Sequence, residues 1–260
     1  MKSALFLLFI LAAFVSCVKE DDDTNKELTP GYTTITGHIV TSDNAPLKGV
    51  EMQLKYVETR WLASFHSWVK KEATTDANGS YSMSFNIKDD EVETYDAQYS
   101  SYFELGFDLS KLDPDKYFLS YYSLENDSSC WFSVRPSLKQ NTAYQVSFYI
   151  PEKDYITVHL NNFKPVLAGD HFEVQTFFPW GTKSEEKNNS NKLLNTEYGI
   201  SSTGYDNFVA KSENQTFRVP VARSDTNIVR IINVKNGVAS PEDHKIFVPK
   251  DNNIELTYEY

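Results

Sequence analysis

The stretch TTDANGSYSMSFNI, residues 74–87, combines a turn signal with a strict two-residue alternation. Asn78-Gly79 is a pair that readily takes the positive φ angles of a tight hairpin. Apolar and polar side chains then alternate, the apolar ones being Tyr81, Met83, Phe85 and Ile87. Because successive side chains of a strand point to opposite faces, this pattern predicts a β-strand with one buried face and one solvated face.

The same alternation recurs along most of the chain after residue 31, whereas no stretch of twelve residues there has a convincing helical stripe. Many short strands separated by turn signals predict an all-β fold of the sandwich or barrel kind. The length suits two sandwiches of about 100 residues each. We therefore expect two tandem β-sandwich domains, immunoglobulin-like or transthyretin-like, over residues 32–152 and 153–260. The polar break at Pro151–Asp154 separates them. The alternating apolar sets are Val50/Met52/Leu54/Tyr56, Phe103/Leu105/Phe107/Leu109, Tyr144/Val146/Phe148/Ile150, Ile156/Val158/Leu160, Phe172/Val174, Phe217/Val219/Val221 and Ile254/Leu256/Tyr258.

Three short motifs occur in order along residues 36–81, and the third contains the Asn78-Gly79 hairpin. They are Thr36-Gly37-His38-Ile39-Val40, Asn44-Ala45-Pro46-Leu47-Lys48-Gly49-Val50 and Thr75-Asp76-Ala77-Asn78-Gly79-Ser80-Tyr81. In this order they resemble the motifs of the carboxypeptidase regulatory-like domain. The resemblance implies a transthyretin-like β-sandwich over 32–152 and structural roles for the motif residues, since that family's catalytic machinery lies in a separate domain. The aromatic insert at 61–68 departs from the family pattern, and residues 155–260 show no such resemblance.

The N-terminus has the pattern of a secretory signal peptide over residues 1–16. Lys2 is followed by an apolar run from Ala4 to Val15, which is too short to cross a bilayer, since a spanning helix needs about 20 residues. The segment Phe14-Val15-Ser16-Cys17 resembles the lipobox of bacterial lipoproteins, which implies a lipid on Cys17. The alternative is a disulfide with Cys130, the only other cysteine.

An acidic tether, residues 17–31, follows the cysteine. Its run Lys19, Glu20, Asp21, Asp22 and Asp23 is typical of a solvated, self-repelling spacer. The run also resembles the export signal that sends lipoproteins of some Gram-negative phyla to the outer face of the outer membrane. The sequence therefore predicts a cell-surface lipoprotein that is anchored in outer-membrane lipid through its N-terminus.

Motifs for cofactor or metal chemistry are missing from the sequence. It has no P-loop, no dinucleotide fingerprint and no Gly-x-Ser-x-Gly elbow, and its five histidines form no zinc-binding spacing. Asp76–Gly79 is better explained as a hairpin than as a calcium loop. The net charge of −11 and the absence of a basic cluster argue against nucleic acid as a partner. We expect no cofactor, no metal and no enzymatic activity.

Aromatic residues are abundant, with 16 Tyr, 17 Phe and 4 Trp. Most must lie in the core, but Trp61, Trp68 and Trp180 fall in stretches that we interpret as turn-rich, where flat rings can stack on sugars or contact a protein. The alternative is that they fill the sandwich ends or the domain interface. We expect a non-enzymatic binding or accessory module for a glycan or a surface protein. The alternatives are a structural subunit of a surface assembly and, less favoured, a carboxylate-based hydrolase.

Overall fold

The computed structural model describes residues 31–60, 64–91, 93–95, 99–119, 131–183 and 193–260. The chain is nearly all β. Two short 3-10 turns, Ser42–Asn44 and Leu109–Lys111, interrupt the strands. The first half contains β1 Thr33–Val40, β2 Glu51–Arg60, β3 Ser64–Thr74, β4 Ser80–Phe85, β5 Thr94–Tyr95, β6 Tyr99–Asp108, β7 Trp131–Val134, β8 Ala143–Gln145 and β9 Phe148–Tyr149. The second half contains β10 Lys153–Asn161, β11 His171–Lys183, β12 Tyr198–Ser202, β13 Gln215–Ala222, β14 Thr226–Lys235, β15 Val238–Phe247 and β16 Glu255–Glu259.

The first half forms a sandwich around one hydrophobic core. Strands β4, β1, β8 and β9 make one layer, and the five-stranded sheet β3-β2-β6 with β5 and β7 makes the other. The alternating residues of the sequence fill the space between them: Ile35, Met52, Leu54, Met83, Leu105 and Phe107 are completely buried. The alternation therefore arises because each of these strands has one face on this core.

The second half repeats this arrangement around a separate core. The three-stranded sheet β13-β10-β16 faces a layer made of β15, β14, β11 and β12. Its buried set includes Val158, Leu160, Phe172, Val174, Val219 and Val229. The structure thus has two tandem β-sandwiches, as the sequence predicts. The two cores divide between Ile150 and Ile156, on either side of the predicted boundary, while independent folding of the two halves stays a prediction.

One sheet runs through both halves. Its order is β15-β14-β11-β9-β1-β4, and the two-residue strand β9 is the link. Tyr149 pairs with Val40 of β1 on one side and with Gly181 of β11 on the other. The sandwiches are therefore joined by backbone hydrogen bonds as well as by the chain itself.

The opening hairpin has the predicted backbone. Gly79 has φ +71°, and Asp76 accepts hydrogen bonds from the backbone N–H groups of Asn78 and Ser80. A Cβ on Gly79 would lie 2.5 Å from the carbonyl oxygen of Ile39. This position therefore requires glycine for its φ angle and for its close packing.

The interpretation of the aromatic stretches as turn-rich is wrong wherever the structure describes them. Phe65 and Trp68 lie on β3, Tyr99 and Tyr102 lie on β6, and Trp180 lies on β11. Trp68 and Trp180 lie in stretches without a clear period, because residues 65–69 are exposed on both faces and most of β11 is buried on both faces. Within the described ranges, no helix is long and apolar enough to cross a membrane.

Candidate ligand-binding site

A pocket of about 340 Å³ lies where the two halves meet, and both halves contribute to its walls. Residues 114–119 form one part of the lining, and residues of β10, β11, β12, β13 and the segment 203–208 form the rest. The lining residues share a mixture of aromatic rings and neutral polar groups: Pro114, Tyr117, Phe118, Leu119, Lys153, Tyr155, Phe178, Trp180, Ser201, Ser202, Thr203, Asn207, Phe208 and Pro220. A volume of this size falls within the range of small-molecule sites, roughly 300–1,000 Å³.

Backbone contacts hold the segment 114–119 against the chain on both sides of the boundary between the halves. The N–H of Phe118 donates to the carbonyl of Pro151 over 3.1 Å, and the N–H of Lys153 donates to the carbonyl of Lys116 over 2.7 Å. The Lys153 ammonium group donates to the carbonyl of Pro114. Lys153 is the one charged residue among the described lining, and this hydrogen bond holds its charge at the pocket rim.

The aromatic wall is fixed by ring packing. Phe118 stacks on Phe178 with ring centroids 3.9 Å apart, and Ala222 is buried beside them. Trp180 is partly buried against this cluster. Its ring meets Phe132 edge-to-face at 4.4 Å, and its indole N–H donates to the carbonyl of Phe118 over 3.0 Å. Because both the ring and the N–H are engaged, Trp180 presents to the pocket a surface of fixed orientation.

Hydroxyl and amide groups line the pocket beside the aromatic rings, and Ser201 pairs with Phe178 across β12 and β11. Ser201, Ser202 and Thr203 belong to β12 and the residue after it, which run beside β11. The side chain of Thr203 accepts from the N–H of Thr176, and Asn207 donates its amide to the carbonyl of Thr203. The pocket therefore offers flat apolar surface and neutral hydrogen-bonding groups next to each other.

The structure separates the predicted contact residues. Trp180 lines the pocket, whereas Trp68 lies on β3, where it packs edge-to-face on Tyr56 at 5.2 Å and remains 44% exposed. Trp61 lies outside the described residues, as do the predicted lipid site Cys17 and the predicted export signal at 19–23. Ligand contact by the three tryptophans stays a prediction.

A second pocket of about 390 Å³ contains carboxylates. Asp43, Glu197 and Asp225 line it together with Tyr149 and Tyr198. Burial raises the pKa of Asp225 to about 6, and the charge of Asp43 adds to the shift, while the hydrogen bond from Tyr149 opposes it. The Tyr149 hydroxyl donates to Asp225, and its ring stacks on Tyr198 at 4.9 Å. Asp225 thus stabilises the orientation of the tyrosine that joins the two sandwiches.

The histidines are not gathered into a site. His159 hydrogen-bonds to Thr216 on its own sheet, whereas His171, on the facing layer, bonds to the carbonyl of Gly169. In the part of the chain that the structure describes, no three His, Cys, Asp or Glu residues are placed to hold a metal ion.

Sequence reasoning missed most of the pocket. Phe118, Phe178 and Asn207 come from distant segments, and no local spacing connects them. Among the lining residues, Trp180 alone is a predicted contact residue, because tryptophan has the largest flat face and this one lies beside turn-forming residues. Phe178, two residues before it, was the available signal for a second lining residue.

No family model matches the sequence, and no curated protein is significantly similar to it. The regulatory-like family resemblance of 32–152 therefore stays a prediction. A variant of the shaft pilin SpaA from Lactobacillus rhamnosus GG aligns with 87% of this chain and 96% of its own, at 14% identity and a TM-score of 0.27. A streptococcal ancillary pilin aligns with 88% of this chain and 62% of its own, at 13% identity and a TM-score of 0.28. The Bacillus anthracis TIE protein aligns with 88% of this chain and 33% of its own, at 10% identity and a TM-score of 0.26. At TM-scores this low, the fold is best described by the chain's own sheets.

Proposed function

We propose that this protein is a non-catalytic, surface-exposed lipoprotein that binds a glycan in the pocket between its two sandwiches. One observation carries the proposal, namely that the aromatic rings of Phe178 and Trp180 line the same pocket as the hydroxyl and amide groups of Ser201, Ser202 and Asn207, with Ser201 beside Phe178 in the β11–β12 pairing. A sugar ring has apolar C–H faces and a rim of hydroxyl groups. Stacking and neutral hydrogen bonds, the interactions that this lining offers, are complementary to both.

The preorganised pocket walls support a role in binding. Phe118, Phe178 and Trp180 already hold one another through ring contacts and the indole hydrogen bond. A ligand would therefore not have to order these side chains, and each immobilised side chain otherwise costs about 0.5–1.5 kcal/mol of affinity. The side chains lining the pocket are suited to holding a ligand rather than to transferring a proton.

The test is a glycan array probed with the full chain and two variants. Ser201→Phe places a large ring in the pocket beside Phe178 and should abolish binding to every glycan that the wild-type chain retains. Ser240→Phe, at an exposed position on the outer strand β15, is the matched control and should bind like wild type. Absence of any retained glycan, or equal binding by Ser201→Phe, would contradict the proposal.

The module is tethered to outer-membrane lipid through Cys17 and is displayed on the cell surface. Strand β1 begins at Thr33, just after the proposed acidic tether of residues 17–31, which supports a sandwich that starts where the tether ends. The acidic character of the chain, with a net charge of −11, also supports a domain that stands away from anionic lipid head groups.

A second candidate function is that of a subunit in a surface assembly, and the edge strand β3 favours it. This strand ends the five-stranded sheet, and no other strand of the described residues pairs with its free edge. Phe65, Trp68 and Val69 on it are 63%, 44% and 46% exposed. Exposed apolar side chains on an uncovered edge are typical of protein–protein contact sites.

A further inference from the structure

The outer part of β3 is an unusual edge strand because it is exposed on both faces. Residues 65–69 are all exposed, whereas their partner strand β2 contributes the buried Tyr56 and Val57. The register pairs Phe65 with Thr59 and Trp68 with Tyr56. The backbone of β2 therefore pairs with one edge of this segment. Among the residues that the structure describes, no strand pairs with the other edge, which lies beside apolar side chains.

The inner part of β3 is fixed. The ammonium group of Lys70 and the carboxylate of Glu91 form an ion pair in which their side chains are only 14% and 7% exposed. Glu91 also accepts a hydrogen bond from the N–H of Lys88. A register shift in the β2–β3 pairing falls between Leu54 and Lys55, next to this ion pair. Residues 65–69 therefore continue from a part of β3 whose position is fixed, so their uncovered edge has a defined orientation for the addition of another strand.

We propose that β3 pairs with β3 of a second copy of this chain, antiparallel and with a two-fold axis at Ser67. This proposal deepens the assembly-subunit candidate and is independent of the glycan pocket. In this register Phe65 lies opposite Val69 of the second copy, and His66 lies opposite Trp68, each pair occurring twice. Moving the axis to Trp68 would instead place Phe65 opposite Lys71. The Ser67 register is thus the one in which apolar side chains meet and no lysine faces them.

Charge and symmetry support a second copy as the occupant. Among residues 65–69 there is no Lys, Arg, Asp or Glu, so two copies meet there without like charges facing each other. A two-fold contact is self-complementary, because the same patch serves both partners. Pairing would join two five-stranded sheets into one continuous sheet and would cover the edge that each copy leaves open.

Cysteine cross-linking of the full chain on intact cells tests the register. Residues opposite each other in an antiparallel pair have Cα atoms about 4.5–5.5 Å apart, which a disulfide can bridge. Ser67→Cys should therefore give a cross-linked homodimer under mild oxidation. The control is Ser82→Cys, at an exposed serine on β4, the edge strand of the other layer of the same sandwich. It should give at least about tenfold less dimer, since only a paired strand raises the effective thiol concentration. The unmodified chain reports any background from its own two cysteines.

Charge substitutions then test the pairing in the Ser67→Cys background. Phe65→Lys should lower the yield of dimer, because it places a lysine opposite Val69 twice. Adding Val69→Glu should restore the yield through two ion pairs between copies, and adding Val69→Lys should not. Equal yields from Ser67→Cys and Ser82→Cys, cross-linking of Ser67→Cys to a different protein, or failure of the Val69→Glu rescue would each overturn the proposal. Loss of glycan binding would leave all of these results unchanged, so the two proposals fail separately.

Discussion

Trp180→Ala should destabilise the protein by about 3 kcal/mol. The substitution removes an edge-to-face contact with Phe132, worth about 0.5–1.5 kcal/mol. It also removes the hydrogen bond to the carbonyl of Phe118, worth about 0.5–1.5 kcal/mol. Emptying a fully buried aromatic site costs about 3–5 kcal/mol. Because Trp180 is partly rather than fully buried, we expect the lower end of that range.

Trp68→Ala is the matched comparison. Among the residues that the structure describes, the ring of Trp68 packs on that of Tyr56, and Trp68 is 44% exposed, so its removal should cost about 1 kcal/mol. For a protein of this size, 1 kcal/mol corresponds to about 2–4 °C in the melting temperature. Thermal unfolding of the purified full chain should therefore show a fall of about 6–12 °C for Trp180→Ala and of about 2–4 °C for Trp68→Ala.

Trp180→Phe separates the two contributions, since it keeps a ring against Phe132 and loses only the indole donor. Its melting temperature should lie between those of the wild type and Trp180→Ala. If Trp180→Ala melted within about 3 °C of wild type, the indole would not link the two halves. The argument that the pocket wall is preorganised would then be refuted.

Three further predictions follow from single sites. Gly79→Ala should lower the free energy of unfolding in urea by at least about 2 kcal/mol. The control Gly237→Ala has a similar positive φ but no atom within 4 Å of the added Cβ, so it should lower that free energy by about 1 kcal/mol. Equal losses would show that the close contact with Ile39 does not contribute. Burial raises the pKa of Asp225 to about 6. Between about pH 4 and 6, the folded state therefore keeps a proton on this group that the unfolded state releases. The contribution of Asp225 to the free energy of unfolding therefore falls as the pH rises through that window. The free energy of unfolding of Asp225→Asn, relative to that of the wild type, should therefore rise by about 1–3 kcal/mol between pH 4 and 7. A difference that does not change with pH would contradict the raised pKa. Cys17→Ser should move the protein from the detergent phase to the aqueous phase, and unchanged partitioning would refute the lipid anchor.

The fold of each half was predictable because its strands have one buried face. Met52, Leu54 and Met83 alternate with polar neighbours in the sequence and are completely buried in the structure. The same reasoning missed β3, since residues 65–69 are exposed on both faces and so carry no two-residue period. A two-residue period arises only where one face of a strand is buried, and residues 65–69 have no buried face.

The joining of the halves could not be predicted from local patterns. Strand β9 has two residues, and it pairs with β1 and β11, which are far from each other in the chain. The sequence predicts a single strand through Tyr144, Val146, Phe148 and Ile150. The structure has β8 and β9 there, which both pair with β1 in the same register on either side of a short interruption.

One turn signal was present in the sequence and was overlooked. Asn236-Gly237 connects β14 to β15, with φ angles of +52° and +76°. This is the same Asn-Gly chemistry as in the opening hairpin. The flanking strand β15 is largely exposed and contains Pro241, so it lacks the apolar alternation that would have drawn attention to the turn. Pro241 also protects this edge of the long sheet from pairing, unlike the free edge of β3.

The central claim is that a glycan occupies the pocket between the sandwiches, and a crystal structure of the protein with an array-selected oligosaccharide tests it most directly. The account predicts a sugar ring against Phe178 and Trp180, with its hydroxyl groups hydrogen-bonded to polar lining groups such as Ser201 and Asn207. A sugar bound at Trp68 on β3, or anywhere else with this pocket empty, would contradict it.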